Sequence, residues 1–223
     1  MVLRWGLRPL VSWHSVSFFE RDVSLIRPEV HARIPLEVRR VEHPADVRRL
    51  EDYFEHLGRA PAEVATRLAE GDECFIGLHE GRVVHFAWLS RGPVMCPEVH
   101  VMLRLEPGEI YQGDSFTDES VRGHRVTAAV MTALLRWLHA QGYHREYFYV
   151  ARNNHASLRA LDSVPRPRSV VTRTMRSFRL LGTGGFLVTG LDANARPALH
   201  LAAGLQARRL GRFGYLVRRR TTL

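Results

Sequence analysis

Residues 114–142, DSFTDESVRGHRVTAAVMTALLRWLHAQG, limit the choice of fold more than any other segment. Apolar residues recur at every fourth position in the second half of this segment, which predicts a long helix with one buried face. These residues are Val126, Val130, Leu134 and Leu138. Strand patterns lie on both sides, before residue 118 and in EYFYVARNN (146–154). If the two strands are parallel, the three elements form a βαβ unit within a sheet.

The remaining patterns predict a mixed sheet rather than a regular alternation of strands and helices. From residue 36 onward we expect the order strand, helix, helix, four strands, helix, strand, helix and two strands. The predicted fold class is α/β, with a central mixed sheet of about six to seven strands flanked by about four helices. We divide the chain into an N-terminal lead-in (1–33), a main domain (34–195) and a basic C-terminal tail (196–223).

Composition argues against several classes of protein. No run of 18 apolar residues is present, so we expect no transmembrane helix. The two cysteines, Cys74 and Cys96, give no disulfide framework. No Cys/His spacing typical of zinc occurs, so we expect no metal. These observations predict a cytoplasmic protein.

The positive charge of the chain is concentrated in its tail. The sequence contains no lysine, so all 32 basic residues are arginines, and the net charge is +9. The tail contains seven arginines and no acidic residue, which leaves +2 for residues 1–195. A nearly neutral main domain argues against a nucleic-acid-binding core. We expect the tail to be loosely ordered and to make weak contact with an anionic membrane or nucleic acid.

A short basic turn, Arg122-Gly123-His124-Arg125, leads into the predicted long helix. The start of a helix presents unpaired N–H groups and the positive end of the helix dipole. Together these favour anions such as phosphate. The turn is therefore either a phosphate site or an ordinary turn in an arginine-rich protein.

Two segments, SFTDESVRGHRVTAAVMTALL (115–135) and FYVARNNHASLRAL (148–161), carry a resemblance to known proteins. The first is similar to a strand, V-x-P-E-Y-R-G-x-G-x-G loop and helix, and the second to a strand, L-x-V-x-x-x-N-x-x-A motif and short helix. Both motifs are those of the GNAT superfamily of acyl-CoA N-acyltransferases. The chain resembles this superfamily over roughly residues 36–191, where the order of elements also agrees.

The resemblance implies an acyl-CoA site, with acetyl-CoA or another acyl-CoA as co-substrate and an amine as acceptor. The strands on either side of the long helix would splay apart, and pantetheine would pair with backbone groups of Ser115, Phe116 and Thr117. The pyrophosphate would bind the turn and the first helical residues, namely Arg122, Gly123, His124, Arg125, Val126 and Thr127. Asn154, after the second strand, would hold a ligand or water, or cap the next helix.

Three residues within the two motifs depart from the family pattern, and Pro165-Arg166 replaces the usual Gly-Phe after the short helix. Arg125 and Thr127 occupy positions where glycine is usual, and glycine there allows the backbone to approach phosphate closely. Leu161 stands where many members have a tyrosine that protonates the departing thiolate. These departures leave open a second function, that of a degenerate GNAT-fold protein that binds a ligand or docks a partner without catalysis.

Acyl transfer to an amine requires a group that takes the amine proton and donors that stabilise the oxyanion. Asp114, on the strand beside the expected thioester, is the first candidate for the base or for an amine-binding carboxylate, with a strand-end turn as the alternative. Tyr149 is the candidate to replace the missing tyrosine, with buried aromatic packing as the alternative. The weaker candidates are more typical of hydrogen-bonded strand residues: Glu109, His85 and His100. The oligomeric state, a homodimer included, is left open.

Overall fold

A computed structural model of the chain describes residues 11–24, 28–96, 101–163, 170–180, 185–188, 198–201, 205–209 and 215–219. Its α-helices are α1 (Pro44–His56), α2 (Ala62–Ala69), α3 (Val126–Ala140) and α4 (His155–Ser163). Its strands are β1 (Val11–Asp22), β2 (Glu37–Arg40), β3 (Glu73–His79), β4 (Arg82–Ser90), β5 (Val94–Cys96), β6 (Val101–Arg104), β7 (Glu109–Thr117), β8 (Arg145–Ala151), β9 (Val170–Leu180), β10 (Gly185–Val188), β11 (Ala198–Leu201), β12 (Leu205–Arg209) and β13 (Tyr215–Arg219).

Ten of the described strands form one mixed sheet in the order β12-β13-β10-β9-β1-β8-β7-β4-β3-β2. β7 and β8 are parallel, and the other described neighbours in this sheet are antiparallel. Helix α3 connects β7 to β8, so the predicted βαβ unit is present. The predicted α/β class, with a mixed sheet and four helices, is confirmed. The sheet is wider than expected because β1 and the C-terminal strands extend it.

Apolar side chains cover both faces of the main sheet at β3 and β4. Helix α3 packs on one face, around Phe75 and Leu89, as its four-residue apolar repeat predicts. Helices α1 and α2 pack on the opposite face, around Phe86 and Trp88. Successive side chains of a strand point to opposite faces, so β3 and β4 contribute to both layers. A three-stranded sheet, β11-β6-β5, contributes β5 and β6 to a further apolar cluster around Tyr111.

Strand β1 lies inside the sheet, between β8 and β9, although it comes first in the chain. Arg21 of β1 and Glu146 of β8 form an ion pair, with 2.7 Å between Nη1 and Oε2 and side chains 2% and 0% exposed. The Arg21 guanidinium also lies over the Phe148 ring. A buried charge is tolerated only beside a partner of opposite sign. The pair therefore ties the lead-in to the strand that follows α3.

The described parts of the tail form strands, and the prediction of a loosely ordered tail is wrong for them. β12 pairs with β13, and β13 pairs with β10. β11 pairs with β6 in the smaller sheet. Within the described ranges, every helix is too short or too polar to span a bilayer. The candidate His100 lies outside the described residues.

Candidate functional site

The parallel strands β7 and β8 pair at their first residues and then separate. The paired residues are Glu109 with Arg145, Ile110 with Glu146 and Tyr111 with Tyr147. Beyond this point β7 stays paired with β4, and β8 stays paired with β1. The facing edges of the two strands therefore have no strand partner among the described residues. Free strand edges can pair with an extended ligand that carries amide groups.

Strand β7 contains an irregularity at Asp114, beside this gap. The register between β4 and β7 shifts between Phe86 and Trp88. Asp114 has a φ of 49°, a left-handed conformation that aspartate adopts more readily than most residues. Bulges of this kind redirect side chains out of the regular alternation of a strand.

Two arginines from the α1–α2 region hold the Asp114 carboxylate. Arg59 donates from Nη1 to Oδ1 at 2.9 Å and from Nη2 to Oδ2 at 2.8 Å. Arg67 donates from Nη1 to Oδ2 at 2.9 Å. Each arginine also pairs with a second carboxylate, Glu63 for Arg59 and Asp72 for Arg67. We call Asp114, Arg59 and Arg67 the Asp114 cluster.

The turn between β7 and α3 presents unpaired amide groups. A single 3₁₀ turn, Glu119–Val121, precedes it and is capped by Asp118, which accepts from the hydroxyl and amide of Ser120. These bonds lower the pKa of Asp118. The amides of residues 125–128 have no backbone acceptor within the described parts of the chain, as expected for the first turn of a helix. The turn therefore has the donors that an anion site requires.

The basic residues of the turn have different environments. Arg122 donates to the Thr117 carbonyl at 3.3 Å and to Glu119 at 2.8 Å, so its side chain braces the turn. The His124 carbonyl accepts from the Arg33 amide at 2.8 Å. Arg125 has a φ of 61°, where a residue other than glycine costs roughly 1–2 kcal/mol. The backbone at Arg125 thus has the left-handed conformation that favours glycine, which is the residue of the family pattern at this position.

A chain of three polar side chains lies beside the turn, on the α3 face of the sheet. His85 Nδ1 lies 2.7 Å from Thr117 Oγ1, which lies 2.9 Å from Thr127 Oγ1. The His85 side chain is fully buried, and this burial lowers its pKa to about 3. The imidazole is therefore neutral at physiological pH. We call these three residues the His85 relay.

Tyr149 on β8 and Asn154 after it make the packing and capping contacts that were the alternatives to a role in catalysis or binding. The Tyr149 ring stacks on Tyr111 of β7, with ring centroids 6.1 Å apart. Asn154 accepts at Oδ1 from the Ser157 amide at 3.1 Å, which caps α4. Leu161 packs against apolar residues of β1 and β8. Aromatic packing and helix capping are thus present.

The fold brings most of the predicted site residues to one region. Ser115, Phe116 and Thr117 lie on β7 beside the gap, the turn follows directly, and Asn154 follows β8. Arg59 and Arg67 were not predicted as site residues, because nothing in their local pattern relates them to β7. Among the described residues, no group of three or more His, Cys, Asp or Glu side chains could hold a metal ion.

Comparison with solved structures shows the same fold. A putative acetyltransferase from the GNAT family of Novosphingobium aromaticivorans has 14% identity and a TM-score of 0.50, over 75% of this chain and 66% of its own. A Drosophila structural-genomics target has 11% identity and a TM-score of 0.50, over 77% and 52%. The aminoglycoside N-acetyltransferase AAC(6')-Iy, in complex with CoA, has 16% identity and a TM-score of 0.45, over 61% and 97%. The chain thus spans just under two thirds of the first structure and about half of the second.

Sequence comparison identifies the family. No curated protein sequence matches the chain. The family profile described as "Acetyltransferase (GNAT) family" matches residues 37–162, which is 126 of the 223 residues. The match includes the gap between β7 and β8, the turn and nearly all of α4. The chain therefore belongs to the GNAT acetyltransferase family.

Proposed function

We propose that the protein is an N-acyltransferase that moves an acyl group, acetyl or longer, from a CoA thioester to an amine. The observation that carries this proposal is the gap between β7 and β8, which lies beside a helix start with unpaired amides. The gap offers strand edges to the amides of pantetheine, and the α3 amides offer donors to the pyrophosphate. Membership of the family supports the same co-substrate.

The proposed CoA contacts fall into three groups. Backbone groups of Ser115, Phe116 and Thr117 pair with pantetheine, and the unpaired amides of residues 125–127 bind the pyrophosphate. The Arg122 and His124 amides, which the resemblance also implied, already donate to the carbonyls of Glu119 and Val121. The Arg125 side chain is exposed and makes no capping hydrogen bond to α3, so its guanidinium is available to a phosphate oxygen. Asn154 offers its side-chain amide from the β8 side of the gap.

We propose Asp114 as the carboxylate that binds the acceptor amine. A carboxylate offers about four acceptor positions, and the arginines occupy three of them. One position remains for an N–H of the amine, and the side chain is 35% exposed. Tyr149 is the proposed proton donor to the departing thiolate, because it lies on β8 beside the gap.

A degenerate protein of the same fold, which binds a ligand or partner without catalysis, is the second candidate. Leu161 favours it, since an apolar side chain packed on β1 and β8 cannot protonate a thiolate. The two candidates share a CoA site and differ in turnover. The membrane or nucleic-acid contact of the tail, the homodimer and the cytoplasmic location remain predictions.

Calorimetric titration with acetyl-CoA, CoA and a long-chain acyl-CoA tests the proposal. Wild-type protein should bind at least one of them, and the Arg122→Ala/Arg125→Ala variant should bind roughly tenfold more weakly because a charge-assisted contact is lost. Arg136→Ala is the matched control, since Arg136 is an exposed α3 arginine paired with Glu29. Release of free thiol with a panel of amines then separates the enzyme from the non-catalytic alternative. Absence of thioester binding by the folded protein would refute the acyl-CoA site.

A further inference from the structure

The His85 relay connects a buried imidazole to the first turn of α3. Neutral imidazole carries one N–H, and each threonine hydroxyl carries one hydrogen. Hydrogen bonds along His85, Thr117 and Thr127 can therefore run in one of two directions. The tautomer of His85 decides which direction is present.

The environment of the second imidazole nitrogen favours one tautomer. His85 Nε2 is buried and has no hydrogen-bond partner within the described residues. Buried N–H groups without an acceptor are rarer in proteins than buried acceptors without a donor. A bare Nε2 places the hydrogen on Nδ1, which then donates to Thr117 Oγ1 across 2.7 Å.

This direction determines what Thr127 can offer to a ligand. With its oxygen accepting from His85, Thr117 keeps its hydrogen for a second bond. Among the described residues the acceptor beside it is Thr127 Oγ1, 2.9 Å away, so Thr117 donates to Thr127. The hydrogen of Thr127 is then free to point away from the relay, from the same helical turn as the unpaired α3 amides. In the opposite tautomer Thr127 would donate into the relay, and its oxygen lone pairs would repel an anion.

We propose that His85 is a positioning residue that, through Thr117, makes the Thr127 hydroxyl a hydrogen-bond donor to a phosphate oxygen of CoA. The inference rests on the proposed function, since it assigns a role to side chains beside the proposed pyrophosphate site. His85 touches neither substrate nor reacting atoms. The low pKa that burial gives His85 keeps the relay in its neutral form. Thr127 lies at a position where the family pattern has glycine. Its side-chain hydroxyl then contacts the phosphate in place of the close backbone contact that glycine allows.

Nitrogen-15 NMR of histidine-labelled wild-type protein tests the tautomer without any ligand. Two-bond ¹H–¹⁵N correlations distinguish a protonated Nδ1 from a protonated Nε2, and His85→Asn identifies the resonance by its loss. We expect a protonated Nδ1 and a bare Nε2. A protonated Nε2 overturns the inference whether or not CoA binds.

Binding of CoA and dephospho-CoA tests the role of the relay. Thr127→Val should weaken both ligands by about tenfold, since it removes one hydrogen bond to a charged group. Thr117→Val should weaken them by a comparable factor and add little in the Thr127→Val background, because the two side chains act as one unit. His85→Asn, whose side-chain N–H can replace Nδ1–H, should bind CoA more tightly than His85→Leu.

Thr132→Val is the matched control. Thr132 is a buried threonine on α3, and its hydroxyl donates to the Ala128 carbonyl at 2.7 Å, outside the relay. It should leave CoA affinity unchanged, and melting curves should show that each variant is folded. If wild-type protein binds CoA while Thr117→Val and Thr127→Val bind it equally well, the inference fails and the proposed function stands. If wild-type protein does not bind CoA, the proposed function fails and the inference fails with it.

Discussion

The bulge of β7 lies on the strand edge that faces the gap, and the start of α3 follows the end of that strand. The polar groups of these two regions are satisfied differently. At the bulge, Asp114 is held by two arginines from the α1–α2 region. At α3, the amides of residues 125–128 have no backbone acceptor in the described chain, and Arg125 is exposed. Groups already paired within the protein contribute to stability, whereas oriented, unpaired donors are ready for an anion. Substitutions at the bulge should therefore alter stability first, and those at α3 should alter binding first.

Removing both arginines of the Asp114 cluster should have the largest effect on stability. Besides their bonds to Asp114, the Arg59 guanidinium lies 4.1 Å from the centroid of the Phe54 ring, and that of Arg67 lies 4.2 Å from Trp88. Loss of four partly exposed ion pairs, with Asp114, Glu63 and Asp72, and of these cation–π contacts should reduce the free energy of unfolding by about 2–3 kcal/mol. Urea unfolding of Arg59→Ala/Arg67→Ala gives the value.

Arg136→Ala is again the reference, because its ion pair with Glu29 is exposed and should contribute less than about 0.5 kcal/mol. A double variant as stable as Arg136→Ala would mean that the cluster does not stabilise the bulge. The Asp114 carboxylate would then be bound too weakly by the arginines to restrict its contact with an amine.

The buried His85 should make stability depend on pH. Its pKa is about 3 in the folded protein and about 6.5 in the unfolded chain, so the unfolded state binds the proton first as pH falls. Protonation of His85 in the unfolded chain should therefore lower the free energy of unfolding by about 2 kcal/mol as the pH falls from 7 to 5. The difference in unfolding free energy between wild type and His85→Leu, measured in urea at both pH values, isolates it from other titrating groups. Parallel decreases in the two proteins would contradict the prediction.

Asp114→Asn tests the difference between the bulge of β7 and the start of α3. Asparagine tolerates the positive φ of this position, so the variant removes charge while keeping the bulge. We expect a loss of about 1 kcal/mol in stability, a higher KM for the amine and less than about a twofold change in CoA affinity. Steady-state kinetics and calorimetry provide these values. A large change in CoA affinity with an unchanged KM for the amine would mean that Asp114 contributes to the CoA site and not to the acceptor site.

Arg125→Gly should have the smallest effect on stability. Glycine relieves roughly 1–2 kcal/mol of left-handed strain, and the greater freedom of the unfolded chain offsets about 0.5–1 kcal/mol. A net gain of about 0.5 kcal/mol should accompany weaker CoA binding, since the guanidinium is lost. Gly123→Ala provides the opposite case, because Gly123 has a φ of 83° and should lose about 1 kcal/mol. If Arg125→Gly binds CoA as tightly as wild type, the Arg125 guanidinium does not contribute to holding the phosphate.

Local patterns predicted the elements that form the site, with different success for different residues. The four-residue repeat of α3 and the turn before it were predicted from consecutive residues, because a helix and its first turn depend mainly on neighbours along the chain. The Asn154 cap was an anticipated alternative for the same reason. His85 was ranked low, because alternation along β4 indicates which side chains share a face without showing what covers that face.

The α/β class, the strand–turn–helix order of the site and the family follow from local sequence patterns, since these depend on periodicity and on motifs within short segments. The residue pairs that give the site its character depend on the packing of elements that are distant in the chain. Arg59 and Asp114 are 55 residues apart, His85 and Thr117 are 32 apart, and Arg21 and Glu146 are 125 apart. The position of β1 between β8 and β9 is of the same kind. Such pairs form only when distant strands and helices pack together, and the neighbouring residues in the sequence do not indicate which partner each member has.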